Sequence, residues 1–503
     1  MRRLTLGEVS QHKTAQSCWV IIGSTVYDVT KFLPDHPGGS RSILRFAGKD
    51  ATTEFEGIHP PGTLEETLHE SAKVGTVESV GGEDTPGDRT DMEETAKLAP
   101  ETPEDMLNIA DIEDHASRTL SNKAWAYYAS ASDDMRTKIY NNTIFHLVLF
   151  RPRIFRDITV VDTTAHMLGF KTSLPLFVSP AALARLAHPD GEKAIARACG
   201  KHGIVQMISN NASLRYADIV SAAVSSKQPF AFQLYIQNER ARSEKQLREV
   251  VKAGCKAVVL TLDAPTPGKR EMDERVARQE TRAAGHVEVN EALSASSGRG
   301  KVTEGGVGRA LFQGTAGDLV WDDLIWLRKQ LPDDIKIVLK GLQTVEDVIL
   351  ATQQFDKTNG KPLVDAVLLS NHGGRALEGA PPPLLVLQEL RMYAPEVFQK
   401  LEVYIDGGIR RGTDVVKALC LGATQVGIGR PALMALAGGF GEAGVSRVIQ
   451  ILREEIETAM RLLGALTLDQ LGPQYVNTRQ LDAILGPSPQ QAAAPRLHFS
   501  AKL

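Results

Sequence analysis

Residues 366–375 read AVLLSNHGGR, an apolar run that breaks into a polar, glycine-rich turn. A strand that is apolar at consecutive positions suits a parallel sheet covered on both faces. Seven further runs have the same character: LPLFVSP (174–180), VQMIS (205–209), PFAFQLY (229–235), AVVLTLD (257–263), IKIVLKG (335–341), EVYIDGG (402–408) and QVGIGRP (425–431). Helix-period stretches such as Asp190 to His202 and Thr413 to Leu421 lie between them. Eight strands alternating with helices predict an α/β fold, the (β/α)8 TIM barrel, with its chemistry at the C-terminal strand ends.

The polar residues at those ends follow a chemical pattern. In the opening stretch, His372 can serve as a general base, and Arg375, three residues on, can clamp a carboxylate at two points. Asp406, Gly407, Gly408 and Arg410 follow the seventh run, and Gly429 and Arg430 the eighth. Glycine amides, two arginines and a helix N-terminus at these two loops predict a phosphate-bearing cofactor. The chain has no G-x-G-x-x-G after a first strand and no P-loop motif, so NAD and ATP folds are not indicated.

Glu78 to Glu104 is rich in Glu, Asp, Gly, Pro and Thr and too polar to bury itself, so it reads as a flexible acidic linker. It divides the chain into a small module at 1–77 and a barrel at 105–486, followed by a Pro, Gln and Ala-rich tail at 487–503. A module that small is expected to need a cofactor for stability. In it, His36 sits in the turn Phe32-Leu33-Pro34-Asp35-His36-Pro37-Gly38-Gly39, and His59 follows in Gly57-Ile58-His59-Pro60-Pro61. Two imidazoles facing across a porphyrin leave no open iron position, which makes such a haem an electron carrier. Thr281 to Thr315, after the fourth run, has little periodicity and reads as a mobile, protease-sensitive loop.

From Leu6 to Gly75, the segments Cys18 to Ile21, Val26 to Thr30, the H-P-G-G turn and Ala47 to Ala51 resemble cytochrome b5, an α+β haem-binding domain. That resemblance implies haem b with His36 and His59 as axial ligands, and leaves His12 and His69 as surface residues. From about Asn108 to Asn477, with Ser370 to Arg375 as its most specific motif, the chain resembles the FMN-dependent 2-hydroxy acid dehydrogenases and oxidases. The two parts together resemble the flavocytochrome b2 family, the cytochrome-type L-lactate dehydrogenases. The implied activity is oxidation of an L-2-hydroxy acid, lactate or a relative, to the 2-oxo acid, with electrons passing from FMN to haem and on to an acceptor such as cytochrome c.

The resemblance also implies roles for single residues. Asp263 would orient His372, Arg270 would be a second active-site arginine, and Tyr127 and Tyr235 would hydrogen-bond the substrate. Lys340 would lie beside the flavin's pyrimidine edge, where its charge stabilises the reduced ring. Ser209, Gln233 and Thr261 would contact the flavin ring. Two positions depart from the family pattern. Ala131 replaces a glycine and would be strained at positive φ. Asn211 stands near the substrate's side chain where lactate-specific relatives are apolar, so it is either held by neighbours or contacts a polar substrate, and the second case predicts that lactate is not the preferred acid.

The 503 residues, 42% apolar and 23% charged with net charge −4, match no polyanion-binding class, so neither nucleic acid nor an anionic membrane is an expected partner. No apolar run is long enough to span a bilayer. Cys18, Cys199, Cys255 and Cys420 are scattered without a C-x-x-C pair and read as core residues or as thiols of a reducing compartment. Met1-Arg2-Arg3 leads into folded-looking sequence, so no N-terminal address is expected. Family resemblance implies the mitochondrial intermembrane space and a homotetramer, while Ala501-Lys502-Leu503 is a variant of a peroxisomal signal. Two alternatives stand beside this reading: an oxidase of the same barrel type using oxygen, and a haem-binding electron carrier with an inactive barrel.

Overall fold

The computed structural model describes residues 2–77, 101–283, 307–312, 314–486 and 488. Most of the expected linker, the centre of the expected 281–315 loop and nearly all of the tail, including Ala501 to Leu503, lie outside the described residues.

The N-terminal module is a five-stranded sheet with short helices. Its strands are β1 (Arg2–Arg3), β2 (Lys13–Thr14), β3 (Ser17–Ile22), β4 (Thr25–Asp28) and β5 (Lys73–Thr76), in the order β1-β5-β4-β3-β2. Strands β3 and β4 form a hairpin that pairs Trp19 with Asp28 and Ile22 with Thr25. One face of the hairpin contributes Cys18, Val20 and Tyr27 to a core with Leu33, Leu44 and Ala47. Burial pushes the Cys18 thiol up to about 12, so it is a packing group rather than a reactive thiolate. All four cysteines are buried and free.

The larger part is a closed barrel of eight parallel strands: β6 (Leu176–Val178), β7 (Val205–Ile208), β8 (Phe230–Leu234), β9 (Ala257–Thr261), β10 (Lys336–Leu342), β11 (Ala366–Leu369), β12 (Glu402–Asp406) and β13 (Gln425–Ile428). Each coincides with one of the eight apolar runs. Their buried-on-both-faces character has a simple cause. Phe177, Met207, Val259, Val338, Leu368 and Tyr404 fill the barrel's interior, while the alternate residues pack outward against the helices. A hairpin of Ala165–Met167 and Phe170–Thr172 plugs one end, with Met167 and Leu168 joining the interior cluster. Leu168 N donates to the Glu402 carboxylate, at the start of β12, so the plug closes the N-terminal mouth and leaves the C-terminal one for chemistry.

Two expectations change here. The stretch 281–315 is not loop throughout: the helix Glu271–Ala283 runs into its start, and Val307–Ala310 forms a helical turn near its end. Gly308 N donates to Asp273 Oδ2 at 2.8 Å, which fastens that turn to the helix. Glu101, at the end of the expected linker, reaches Arg118 and His115 on the helix Ile109–Thr119.

Candidate functional sites

The C-terminal mouth of the barrel holds a cavity of about 420 Å³. At its centre, His372 follows β11 with φ of +60°, a conformation that a non-glycine residue adopts only when its surroundings impose it. Ser370 Oγ accepts from His372 N at 3.1 Å and from Lys340 Nζ at 2.7 Å, which pins the turn to the end of β10. His372 Nδ1 lies 2.8 Å from Asp263 Oδ1, and Tyr235 OH is 3.3 Å from His372 Nε2. Asp263 therefore fixes the tautomer: Nδ1 carries the proton and donates, leaving the Nε2 lone pair toward the cavity.

Burial lowers the imidazole's pKa and outweighs the opposing pull of Asp263, so His372 rests neutral. Burial also works against ionised Asp263, but His372 and Lys340 overcome it and hold the carboxylate below its ordinary range. Lys340 Nζ stands 4.0 Å from Asp263 and 3.6 Å from Asp406.

Four cations approach from the surrounding loops. Arg375 donates to the Tyr127 carbonyl at 2.7 Å, with its guanidinium 4.8 Å from the Tyr127 ring. Arg270 is buried beside the Phe312 ring, and burial followed by the nearby Arg375 lowers its pKa to about 10. Arg430 donates to the carbonyls of Tyr128, Gly373 and Ser130, which ties the segment after Tyr128 to the His372 turn. Arg410 pairs with Glu113 at the rim. Excess positive charge in a half-closed cavity suits a ligand set bearing a phosphate and a carboxylate.

All the barrel residues that the sequence nominated meet at this cavity: the lining includes Tyr127, Ser209, Gln233, Tyr235, Thr261 and Arg270. Lys340, His372, Arg375, Asp406 and the glycines Gly407, Gly408 and Gly429 line it too. Asp263 stands behind His372, fully buried. Gln233 Nε2, Thr261 Oγ1 and Asp406 Oδ1 are buried without a hydrogen-bond partner in the chain. Such groups are costly to leave unpaired, and the first two suit the donors and acceptors of a flavin ring. Gly407 and Gly408 take φ of +90° and +81°, and a Cβ on Gly408 would strike the Asn141 carbonyl. The donor set fits FMN.

Two departures resolve differently from expectation. Ala131 is not among the positive-φ residues, so no strain arises there. Asn211 Nδ2 donates to the Leu311 carbonyl at 3.3 Å, and its Oδ1 accepts from Asn210 Nδ2 at 3.2 Å. Its polarity is satisfied by neighbours, which removes the reason for excluding lactate. Sequence reasoning missed Ser179, which donates to Asp406 at 2.9 Å, and the reciprocal buried amide pair Asn141 and Asn371. It also missed Leu311 and Phe312, which line the cavity from the turn after Ala310.

In the small module, the His36 and His59 ring centroids are 6.0 Å apart. A metal–imidazole bond is about 2 Å, so this gap suits one iron between the two rings. Each Nδ1 lies 3.1 Å from a backbone carbonyl, of Gly39 for His36 and of Phe55 for His59, which leaves both Nε2 atoms free to ligate. Burial lowers both pKa values, that of His59 to about 4, and so favours the neutral ligand form. Gly38 makes the turn possible, because a Cβ there would lie 2.8 Å from His36 Cε1. The donor set fits haem b.

Fold and sites together define a flavin-dependent barrel dehydrogenase carrying a haem module. Residues 116–478 match the FMN-dependent dehydrogenase family, and residues 5–78 match the cytochrome b5-like haem/steroid-binding domain. The chain is 39% identical to an L-lactate dehydrogenase (cytochrome) of Wickerhamomyces anomalus over 95% of this chain and 80% of the relative. It is 38% identical to the enzyme of that name from Saccharomyces cerevisiae, over 96% of this chain and 81% of the relative. Among solved structures it resembles the flavin-binding domain of baker's yeast flavocytochrome b2, with TM-score 0.65, 37% identity, and coverage of 80% of this chain and 94% of that one. The chain belongs to the FMN-dependent dehydrogenase family, in its haem-linked flavocytochrome b2 form. It is an oxidoreductase that uses FMN and haem.

Proposed function

We propose that the protein oxidises L-lactate to pyruvate, with His372 as the base and Arg375, Arg270 and Tyr127 holding the carboxylate. The observation that carries this reading is the buried Asp263–His372 pair at 2.8 Å, aimed into a cation-lined cavity. Arg375 and Arg270 fix one end of the acid, and Tyr235 steers its hydroxyl toward His372 Nε2. Neutral His372 takes the proton; the charge it gains is stabilised by Asp263. FMN, when bound, accepts the two electrons released. Lys340, beside the unpaired Gln233 and Thr261 groups, supplies positive charge where the reduced ring would need it. Asp406 and Ser179 would hold the ribityl side, and Arg410, Arg430 and the glycine loops the phosphate.

His36 and His59 would hold haem b, which would supply one-electron transfer to an outside acceptor. We infer that cytochrome c is the acceptor; two histidines free to ligate suit one-electron transfer better than oxygen chemistry, and the relatives' names point the same way. Self-association is supported by three apolar side chains of one segment, Ile154, Phe155 and Val160, each 74% exposed or more in the single chain. Among the described residues, no helix is long and apolar enough to cross a membrane.

The test is a panel of L-2-hydroxy acids and D-lactate, scored by anaerobic flavin bleaching. The reading predicts the highest kcat/KM for L-lactate and none for the D-acid. A clear preference for an acid with a polar or bulky side chain would overturn the substrate assignment.

A further inference from the structure

The haem module rests against the barrel on a surface that the proposed chemistry does not use. Arg185 NH1 donates to the Glu56 carbonyl at 2.6 Å, and its NH2 reaches the Glu56 carboxylate at 3.3 Å. Arg215 pairs with Glu66, and Arg45 of the haem module pairs with Glu280 of the barrel. Between these pairs Ile58 and Leu186 pack into the barrel's core cluster. His59 is the residue after Ile58, so this surface borders one of the two haem-site histidines.

Two glycines of the haem module stand where barrel side chains press in. Gly57 lies inside the helix Thr52–Ile58, where glycine is unfavourable, and a Cβ on it would be 3.3 Å from Leu186 Cδ2. Gly62, at φ of +87°, faces Arg215 so closely that a Cβ would overlap the guanidinium. The barrel side is built as well. Buried Glu192 accepts from Ala184 N at 3.1 Å and from Ser213 N at 2.9 Å, while Ser213 Oγ accepts from Arg185 N at 2.9 Å. That network sets the backbone from which Arg185 and Arg215 project. The same loop places Ala181 and Ala182 on the cavity wall.

We propose that Arg185 and Arg215 form an ion-pair clamp for Glu56 and Glu66 that seats the His59 side of the haem module on the barrel and gates internal electron transfer by ionic strength. The proposal rests on the flavin-to-haem relay described above. Exposed ion pairs are individually weak and are screened by salt. A clamp of this kind, on two modules of one chain, therefore docks reversibly. Each acid oxidised releases two electrons and two protons. The protons would pass to solvent, and a haem held by His36 and His59 would take the two electrons singly and pass each to a one-electron acceptor. Arg185 and Arg215 are positioning residues that touch neither substrate nor cofactor.

The experiment uses the full-length holoenzyme. Flavin bleaching and ferrous-haem formation are followed separately after anaerobic mixing with L-lactate, at rising salt. Amide hydrogen exchange across residues 52–68 is measured without substrate. Arg185→Glu with Arg215→Glu is expected to leave flavin bleaching unchanged, to slow haem reduction about tenfold, to reverse its salt dependence because salt then screens repulsion from Glu56 and Glu66, and to raise exchange in 52–68. Adding Glu56→Arg and Glu66→Arg should restore haem reduction. Gly57→Leu, which carries no charge, should also slow haem reduction by wedging the surfaces apart. Haem reduction and exchange unchanged in the double variant, or a loss that the reversed pair does not restore, would overturn the clamp. If no 2-hydroxy acid bleaches the flavin, the relay reading fails instead, while the exchange measurement still decides whether the clamp exists.

Discussion

Asp263 and His372 lie 109 residues apart in the chain and 2.8 Å apart in the fold, at the ends of β9 and β11. The carboxylate is fully buried and its second oxygen has no hydrogen-bond partner, with Lys340 4.0 Å away. A buried charge so arranged favours the protonated imidazole that forms as His372 accepts a proton, and its burial is offset by His372 and, beside it, Lys340. His372→Gln is expected to slow flavin bleaching by about 10²–10⁴-fold with folding and FMN content retained. Asp263→Asn should slow it within the same range, because the amide can no longer stabilise the imidazolium. Near-normal bleaching in His372→Gln would remove His372 from the role of base, and in Asp263→Asn would remove Asp263 from the role of its stabiliser.

Acidity reports on the same pair. Burial lowers the His372 pKa below the ordinary imidazole value of about 6.5. The neutral ring is the active form, so the bleaching rate should be flat above neutrality and fall only as pH drops through that lowered midpoint. A midpoint above neutrality would mean that Asp263 outweighs burial and that the resting ring is charged.

The haem site separates cleanly from the flavin site. His36→Ala and His59→Ala each leave one Nε2 where two are needed, so each variant should lose the low-spin haem spectrum and all cytochrome reduction. Flavin bleaching by L-lactate should continue in both. A variant that kept a normal haem spectrum would mean that another side chain serves as ligand.

Asn211 gives a prediction of the opposite kind. Its amide holds the Leu311 carbonyl over the cavity at 3.3 Å, one neutral hydrogen bond of about 0.5–1.5 kcal/mol. Asn211→Ala should therefore raise KM for lactate by a few-fold and leave the order of preferred acids unchanged. A reordered panel would show that Asn211 reads the substrate itself.

The eight strands were legible because burial on both faces leaves an unbroken apolar signature, and each strand's polar residue follows that signature directly. His372 and Arg375 were found in this way, while Asp263 and Lys340 came from the family resemblance. Ser179, next to last in the run LPLFVSP, could have been found by the same logic, since it meets Asp406 at the end of β12. The Asn141–Asn371 pair and the Leu311–Phe312 wall left no such trace. They arise from tertiary approach of segments far apart in the chain, and the turn at Val307–Ala310 is too short to announce a helix by periodicity. Asn211 was misleading for a related reason: its partner, the Leu311 carbonyl, has no side-chain identity to read.

The central claim is a relay from a 2-hydroxy acid through the barrel to the haem. Stopped-flow mixing of the oxidised holoenzyme with L-lactate without oxygen, watching flavin and haem bands separately, tests it most directly. Flavin should bleach first and ferrous haem follow, with haem reduction never outrunning flavin reduction. Flavin that bleaches while the haem stays ferric would contradict the relay and point to an oxidase.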